Sequence, residues 1–517
     1  MIIKRFFTDR YDKDLIFVRK DVTFGEFKDY VFAQKKEFEK SDINEIALLC
    51  ENYFDFAVNF FAAIFAGKNI NLVTDKSRLK LLNKTYMLPE KPVKKLKWQM
   101  FENIYNPKDI KINFFTSGST GVPQSIIKSL YNVQMEAQAT VEGFNLASLK
   151  GITICATTLC THSYGLTFGF IMPFDSFFKI YGTRIEFPEQ LPKDRDYIMI
   201  STPSFMEKLT KYNYEFPNPP KLIFLAGAKL DENVYNYISR FSDVVDIYGS
   251  TETGNIAYKR GGNVFNVFHN VEVDKNEDNR IIVKSEFFTG EQAVLNDIIE
   301  NLENRQFTLK KRSDRIVKVL EKRISLTEME NTLKKRDDIE DAYCFKYKEM
   351  LAAVVVTKNY DLTGTELKKY LAGYIEVTPK KWRFLDEIPR NISGKIDYEK
   401  IKHLFDLNLS LPFVINKKVD ELNGEIKLKF KRNSNFLNGH FDIKPIVPGV
   451  VQLYFAKFFA KELFNLDDLK SDMKKIKFSN IINPDEEITL KLTNKEDSVA
   501  ITYLSDDKIF SSGILVK

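Results

Sequence analysis

The chain has four cysteines in 517 residues. Cys50, Cys155, Cys160 and Cys344 are scattered, without the short paired spacings of metal sites, which excludes a disulfide scaffold and a cysteine-ligated metal centre. Reduced, mostly buried thiols are expected. No run of about 18 apolar residues occurs, so no membrane-spanning helix is predicted. The opening MIIKRFFTDRYDKD puts charges inside any would-be apolar region and has no small-residue cleavage site, so no secretory signal is read and a cytoplasmic location is expected. An excess of one charge sign is also missing: 77 basic and 71 acidic residues give a net charge of +6, a nearly balanced surface. Clustered basic residues interleaved with aromatics are absent, which excludes nucleic acid as a partner. There is no internal repeat and no low-complexity tract.

What is present is the composition of a globular multidomain protein, with 44% hydrophobic and 29% charged residues. At roughly 150 residues per domain the length suggests about three units. The stretch EIALLCENYFDFAVNFFAAIFAGKNINLVTD, residues 45–75, reads as strand, apolar helix ended by Gly67, then strand, the pattern of a βαβ unit. Further strand signals at ITICATT, DYIMIST, KLIFLAG and DVVDIYG, with helical stretches between several of them, predict a large α/β domain over residues 1–313. A strand pair, an amphipathic helix and two more strands predict a small α+β domain over 314–405. Residues 406–420 have weak periodicity and read as a linker. Residues 421–517 hold one apolar helix, VVQLYFAKFFAKELF, among alternating strands, a small β-rich domain wrapped on a helix.

The sharpest local signal is FFTSGSTGVPQ, a short apolar strand running into Thr116, Ser117, Gly118, Ser119, Thr120 and Gly121. Glycines let the backbone curl until several N–H groups point at one anion, and hydroxyls add donors or reach a Mg2+ ion. The alternative is a flexible surface turn. It is not a Walker loop, because no Gly-Lys-Ser/Thr follows at the required spacing.

With this loop, residues 20–400 resemble the acyl-adenylate-forming superfamily, which includes acyl-CoA synthetases, luciferases and peptide-synthetase adenylation domains. The family's aromatic-Gly-x-Thr-Glu motif is similar to Tyr248, Gly249, Ser250, Thr251 and Glu252. The resemblance implies ATP and Mg2+ as co-substrate and metal: Tyr248 on the adenine, Thr251 at the phosphate, Glu252 holding Mg2+, and Gly227 and Ala228 bordering the adenine and the acyl group. His162 in HSYG resembles the family's acid-pocket residue, though such a His is by itself more often structural. Asp297 and Arg312 resemble the pair that holds the ribose, and Asp314 the hinge about which a small mobile domain turns. EIPRNISGK resembles the loop bearing the mobile catalytic lysine, here Lys395. Two departures stand out. Gln124 and Ser125 follow Pro123 where the family has Lys-Gly, leaving Lys128 as the nearest cation. Glu321 replaces a Gly beside the incoming pantetheine, which favours the phosphopantetheine of an acyl carrier protein over free CoA.

NGHFDIKPIVPGV, residues 438–450, resembles the signature of hotdog-fold 3-hydroxyacyl-carrier-protein dehydratases. It implies His440 as the catalytic base and a homodimer. The family's carboxylate on the following helix is replaced by Tyr454, so a non-catalytic dimerisation or acyl-holding domain stays open beside a working dehydratase. Three functions follow as expectations. The first is an enzyme that activates a fatty or aromatic acid, loads it onto a carrier thiol and dehydrates a 3-hydroxyacyl intermediate, as in fatty-acid, polyketide or aryl-polyene assembly. The second is an acyl-CoA synthetase with an inert hotdog domain, and the third a non-catalytic acyl-binding scaffold.

Overall fold

The computed structural model describes residues 11–74, 79, 82, 85–89, 94–101, 106–117, 123–149, 151–312, 315–319, 322–359, 362–391, 394–406, 410–431, 434–437, 446–466, 469–470, 472–506 and 508–517. Its chain forms two compact units. One comprises Met1–Asp314 with Arg390–Ile396, the other Arg315–Pro389 with Asp397–Lys517.

The first unit begins its smaller sheet with the expected βαβ unit: β1 (Glu45–Leu48), α1 (Tyr53–Phe65) and β2 (Asn69–Leu72), with β1 and β2 parallel. Asn52 starts α1 by accepting the Asp55 N–H at 2.8 Å, a local bond that competes with further strand. Almost every side chain of α1 is buried, so this is a core helix and not a surface one. Its Phe56, Phe60 and Phe61 meet Phe170 and Phe174 edge-on or tilted, with Phe61 and Phe174 centroids 4.8 Å apart. Each such ring contributes about 1.5–3 kcal/mol by leaving water. β3 (Lys111–Ser117) adds in parallel to β2, and β4 (Pro123–Ser129) turns back antiparallel to it. α2 (Leu130–Gly143) follows directly, with Ser129 and Asn132 forming a reciprocal cap.

The larger sheet has thirteen strands. At its centre β5 (Thr153–Ala156), β6 (Tyr197–Ser201), β7 (Leu222–Leu225) and β8 (Asp243–Ser250) run parallel in spatial order. All four carry continuous buried runs, largely apolar, as strands covered on both faces require, with Asp246 of β8 the one charged residue among them. α3 (Pro203–Lys211) follows β6, capped by Thr202. β9 (Gly254–Lys259) returns antiparallel to β8. The remainder of the sheet includes the antiparallel pair β10 (Ala293–Glu303) and β11 (Gln306–Arg312).

In the second unit, Ile316–Val319 and Lys322–Ser325 form the expected strand pair, followed by a helix over Leu326–Leu333 and a three-stranded sheet. Arg315 pairs with Glu330, which also accepts the Cys344 N–H at 2.7 Å. A six-stranded antiparallel sheet lies further along the chain with its long helix, α4 (Gly449–Phe464). Phe455 and Phe459 of α4 share a core with Phe430 and Tyr503. The stretch read as a linker is corrected here. Phe413–Val419 forms β12, the edge strand, paired with β13 (Asn423–Lys429). All seven residues of β12 are exposed, so no alternation of buried and open positions marks them in the sequence. Cys50, Cys155, Cys160 and Cys344 are free and buried, as expected. No helix among the described residues is long and apolar enough to cross a membrane.

Candidate functional site

Open parallel sheets place ligand groups where their strands end, because the loops there diverge and leave a crevice. The motif residues gather at that rim of the first unit. β5 leads to His162, half-buried one residue before a single helical turn, Ser163–Leu166. A π-helical turn, Thr167–Ile171, comes next. β6 ends in Ser201, whose hydroxyl lies 2.9 Å from that of Thr157 beyond β5. β7 leads to Gly227 and Ala228, both exposed, with Gly227 at φ 96°. β8 ends in Tyr248, Gly249 and Ser250 and delivers Thr251 and Glu252, both half-buried, into the turn before β9.

That turn is built by close backbone approach. A bulge falls between Tyr248 and Gly249, and a Cβ on Gly249 would lie 2.2 Å from the Gly254 carbonyl oxygen, so no side chain fits there. Gly254 has φ 71°, and a Cβ there would come within 2.9 Å of the Glu136 carboxyl carbon. Tyr248 packs against Phe265 and Phe307, with centroids at 5.6 and 5.9 Å, which holds its ring at the rim. Asp297 on β10 is half-buried and stands opposite Arg312 on β11 in the register. The two residues matched to the ribose pair are thus cross-strand neighbours.

Lys395 lies in a tight loop closed by Asn391. The Asn391 N–H donates to the Lys395 carbonyl at 2.7 Å, and the Lys395 N–H to Asn391 Oδ1 at 3.1 Å. Ser204 of α3 donates to the Gly394 carbonyl at 3.1 Å, which ties this loop to the end of β6 with the Lys395 side chain exposed. Thr116 and Ser117 end β3, and their side chains lie outside the described residues. Gly118, Ser119, Thr120, Gly121, Asp314, Glu321 and His440 also lie outside them, as does the Arg312 side chain.

Two buried ionisable groups escaped the motif reading. Lys128 does not stand in for the missing loop cation: it is fully buried on β4, its ammonium 3.7 Å from Glu136 Oε2. Glu136, on α2, accepts the Asn255 N–H at 3.1 Å and the Thr167 hydroxyl at 3.4 Å. Burial pushes Glu136 up and Lys128 down from their ordinary values, each opposed by the other's charge, and Glu252 also favours the charged lysine. The second group is Asp246 on β8, 3.4 Å from Lys259 on β9. Its carboxyl is lifted to about 6, because burial outweighs the ammonium.

A magnesium ion bound with a nucleotide needs only one or two carboxylates, since phosphates and water supply the other oxygens. Glu252 alone on its turn fits that case, and among the described residues no cluster of three or more metal-binding side chains exists. On the six-stranded sheet domain, Tyr454 is half-buried on α4. Gln452, also on α4, is buried and bonds Ser511 at 2.6 Å and, through its carbonyl, Tyr503 at 3.0 Å. An open groove of about 750 Å³, lined by residues such as Asn480, Asp506 and Lys508, lies on this domain. None of the described motif residues lines it.

Among solved structures, the chain is similar to ATP-bound MatB from Rhodopseudomonas palustris at 15% identity and a TM-score of 0.63, over 78% of this chain and 98% of that one. It is similar to the O-succinylbenzoate coenzyme A synthetase of Bacillus subtilis in complex with AMP at 16% identity and a TM-score of 0.61, over 78% and 97%. The anthranilate CoA ligase AuaEII with anthranoyl-AMP follows at 14% identity and a TM-score of 0.57, over 78% and 96%. At these identities the likeness is one of fold. No curated protein matches the sequence. The AMP-binding enzyme family matches residues 68–278, and the ApeI dehydratase family matches 416–514. The rim that carries Tyr248 to Glu252 and the sheet wrapped on α4 therefore belong, respectively, to an AMP-binding enzyme domain and to a hotdog-type, ApeI-like dehydratase domain joined in one chain.

Proposed function

We propose that the chain activates a carboxylic acid with ATP and passes the acyl group to a thiol, that of a carrier-protein phosphopantetheine. The observation that carries this reading is that His162, Gly227, Tyr248, Thr251 and Glu252 all lie at or beyond the C-terminal ends of the parallel strands β5, β7 and β8 of one sheet. A carboxylate is a poor electrophile and needs a leaving group. In the first step its oxygen attacks the α-phosphorus of ATP, the bond to the bridging oxygen breaks, and pyrophosphate leaves with that electron pair. In the second a thiolate sulfur attacks the acyl carbon and AMP departs, the thiol proton having gone to solvent.

In this reading Tyr248 offers its ring to the adenine, with Gly227 and Ala228 beside it, while Asp297 and Arg312 hold the ribose. Thr251 and the Thr116–Gly121 loop donate to the phosphates. Glu252 holds the Mg2+ that arrives with ATP, and that ion neutralises charge on the phosphate oxygens. Lys395 brings a second cation to the α-phosphate, and such preorganised groups each contribute about 3 kcal/mol in a water-poor site. His162 lines the acid pocket. Asp314 serves as the hinge that withdraws Lys395 before the thiol enters.

The ApeI-like domain would use His440 to remove water from a 3-hydroxyacyl thioester, working as a homodimer. With Tyr454 in place of an acid, His440 would serve both proton steps. Free CoA as acceptor is the second reading, because two of the structures that share the fold are named as a CoA synthetase and a CoA ligase.

The test is ATP–pyrophosphate exchange over a panel of aliphatic and aromatic acids, followed by intact mass of a holo carrier protein and assay with free CoA. Exchange with at least one acid and a mass gain on the carrier are expected. Absence of exchange with every acid refutes activation. A hotdog domain that leaves 3-hydroxyacyl carrier substrate unchanged is structural.

A further inference from the structure

Lys128 and Glu136 belong to no motif, yet Glu136 joins three segments that the site needs. It sits on α2, directly after the strand that leaves the Ser/Thr/Gly loop. One carboxylate oxygen accepts the Asn255 N–H, three residues past Glu252, and the other accepts the hydroxyl of Thr167, five residues past His162. Lys128 is 0% exposed and, among the described residues, its ammonium has only the Glu136 carboxylate in reach, at 3.7 Å. A buried ammonium with unfilled donors is costly unless its charge is compensated. Two carboxylates favour its charged form, Glu136 first and Glu252 second.

We propose that Lys128 and Glu136 are a positioning pair for the Glu252 turn. Glu136 pins the backbone at Asn255 and absorbs the charge of Lys128, so that Glu252 keeps its own charge available to a divalent cation. The inference rests on the reading that Glu252 faces the metal of a bound nucleotide. It assigns Lys128 a place behind the site and in its field, and assigns no contact with substrate.

Charge-altering variants separate this role from packing. Glu136→Gln keeps an acceptor for Asn255 but removes the compensating charge, leaving Glu252 to answer Lys128. Lys128→Met removes the competing cation. The double variant is neutral at both positions. The readout is Mn2+ binding by electron paramagnetic resonance in the presence of a non-hydrolysable ATP analogue, with melting temperature recorded alongside.

Glu136→Gln should raise the Mn2+ half-saturation several-fold, the direction expected when a unit negative charge is removed from the neighbourhood of a divalent cation. The double variant should return it toward the wild-type value. If Glu136→Gln does not fold, Lys128→Met carries the test in the opposite direction, with a lower half-saturation expected. Unshifted Mn2+ binding in folded variants, whatever their melting temperatures, overturns the pair's role and leaves the proposed function standing. No nucleotide-dependent Mn2+ binding by the wild-type protein overturns the site reading itself, and this inference with it.

Discussion

Asp246 offers a quantitative check on the electrostatics of β8, the strand that delivers Thr251 and Glu252. It is 5% exposed, and its carboxyl titrates at about 6 against an ordinary value of 3.8. Between these two values the folded chain keeps a proton that the unfolded chain has released. Stability therefore falls as pH rises through that window and is level above about 6, with a total loss of about 3 kcal/mol. From pH 5 to pH 7.5 the loss from this group is about 1.4 kcal/mol. Asp246→Asn removes the titration, so the stability of the variant relative to the wild type should climb by that amount over the same interval. The assay is urea unfolding followed by tryptophan fluorescence. Of the chain's two tryptophans, Trp98 packs on Phe32 and Phe101 in the first unit, so a Trp382→Phe background lets Trp98 report that unit alone. A difference that stays flat with pH, or that falls, refutes the reasoning.

Lys395→Ala should lower ATP–pyrophosphate exchange about 100-fold, the worth of one preorganised cation at a developing charge, and leave the melting temperature unchanged because the side chain is exposed. Gly254→Ala forces an alanine to φ 71° and sets its Cβ 2.9 Å from the Glu136 carboxyl and 3.1 Å from Phe287. A loss of about 1–3 kcal/mol in urea unfolding is expected. Phe455→Ala empties a site in the hotdog core among Phe430, Phe436 and Phe459. It should destabilise that domain by about 3–5 kcal/mol, read as accelerated amide exchange confined to residues 413–517.

The parts of the fold legible in the sequence are those where burial follows a regular pattern. The 45–75 segment could be read because α1 and its flanking strands are apolar without interruption. β12 could not, because a wholly exposed edge strand carries no pattern of burial. Lys128 left a faint sign: in IIKS the strand turns Ile127 outward, 53% exposed, and Lys128 inward, the reverse of what polarity predicts. Glu136 shares a face of α2 with buried Val133, Ala137 and Thr140, a position where an acid needs a reason. Neither sign names the contact with the turn, because Asn255 lies 119 residues from Glu136. Tyr248, Thr251 and Glu252 were easier to find, since their spacing is local and forms a motif.

The distribution of buried charge supports placing function at this rim. Among the described residues, five Lys, Arg, Asp or Glu side chains are buried: Lys35, Lys128, Glu136, Asp246 and Arg383. Lys35 reaches the half-open Glu39 on its own helix, and Arg383 satisfies the carbonyls of Leu404 and Trp382 at 3.0 and 2.9 Å. These two answer ordinary packing demands. The other three gather around β8 and β9, where Asp246 faces Lys259 and Glu136 holds Asn255. Well-packed apolar residues would serve stability there at least as well, since a buried ion pair rarely repays its desolvation. Fold stability alone therefore does not account for Lys128 and Glu136 beside the β8–β9 turn, with Asp246 standing further along the strands opposite Lys259. A role for that pair in setting the turn that presents Glu252, as proposed above, does.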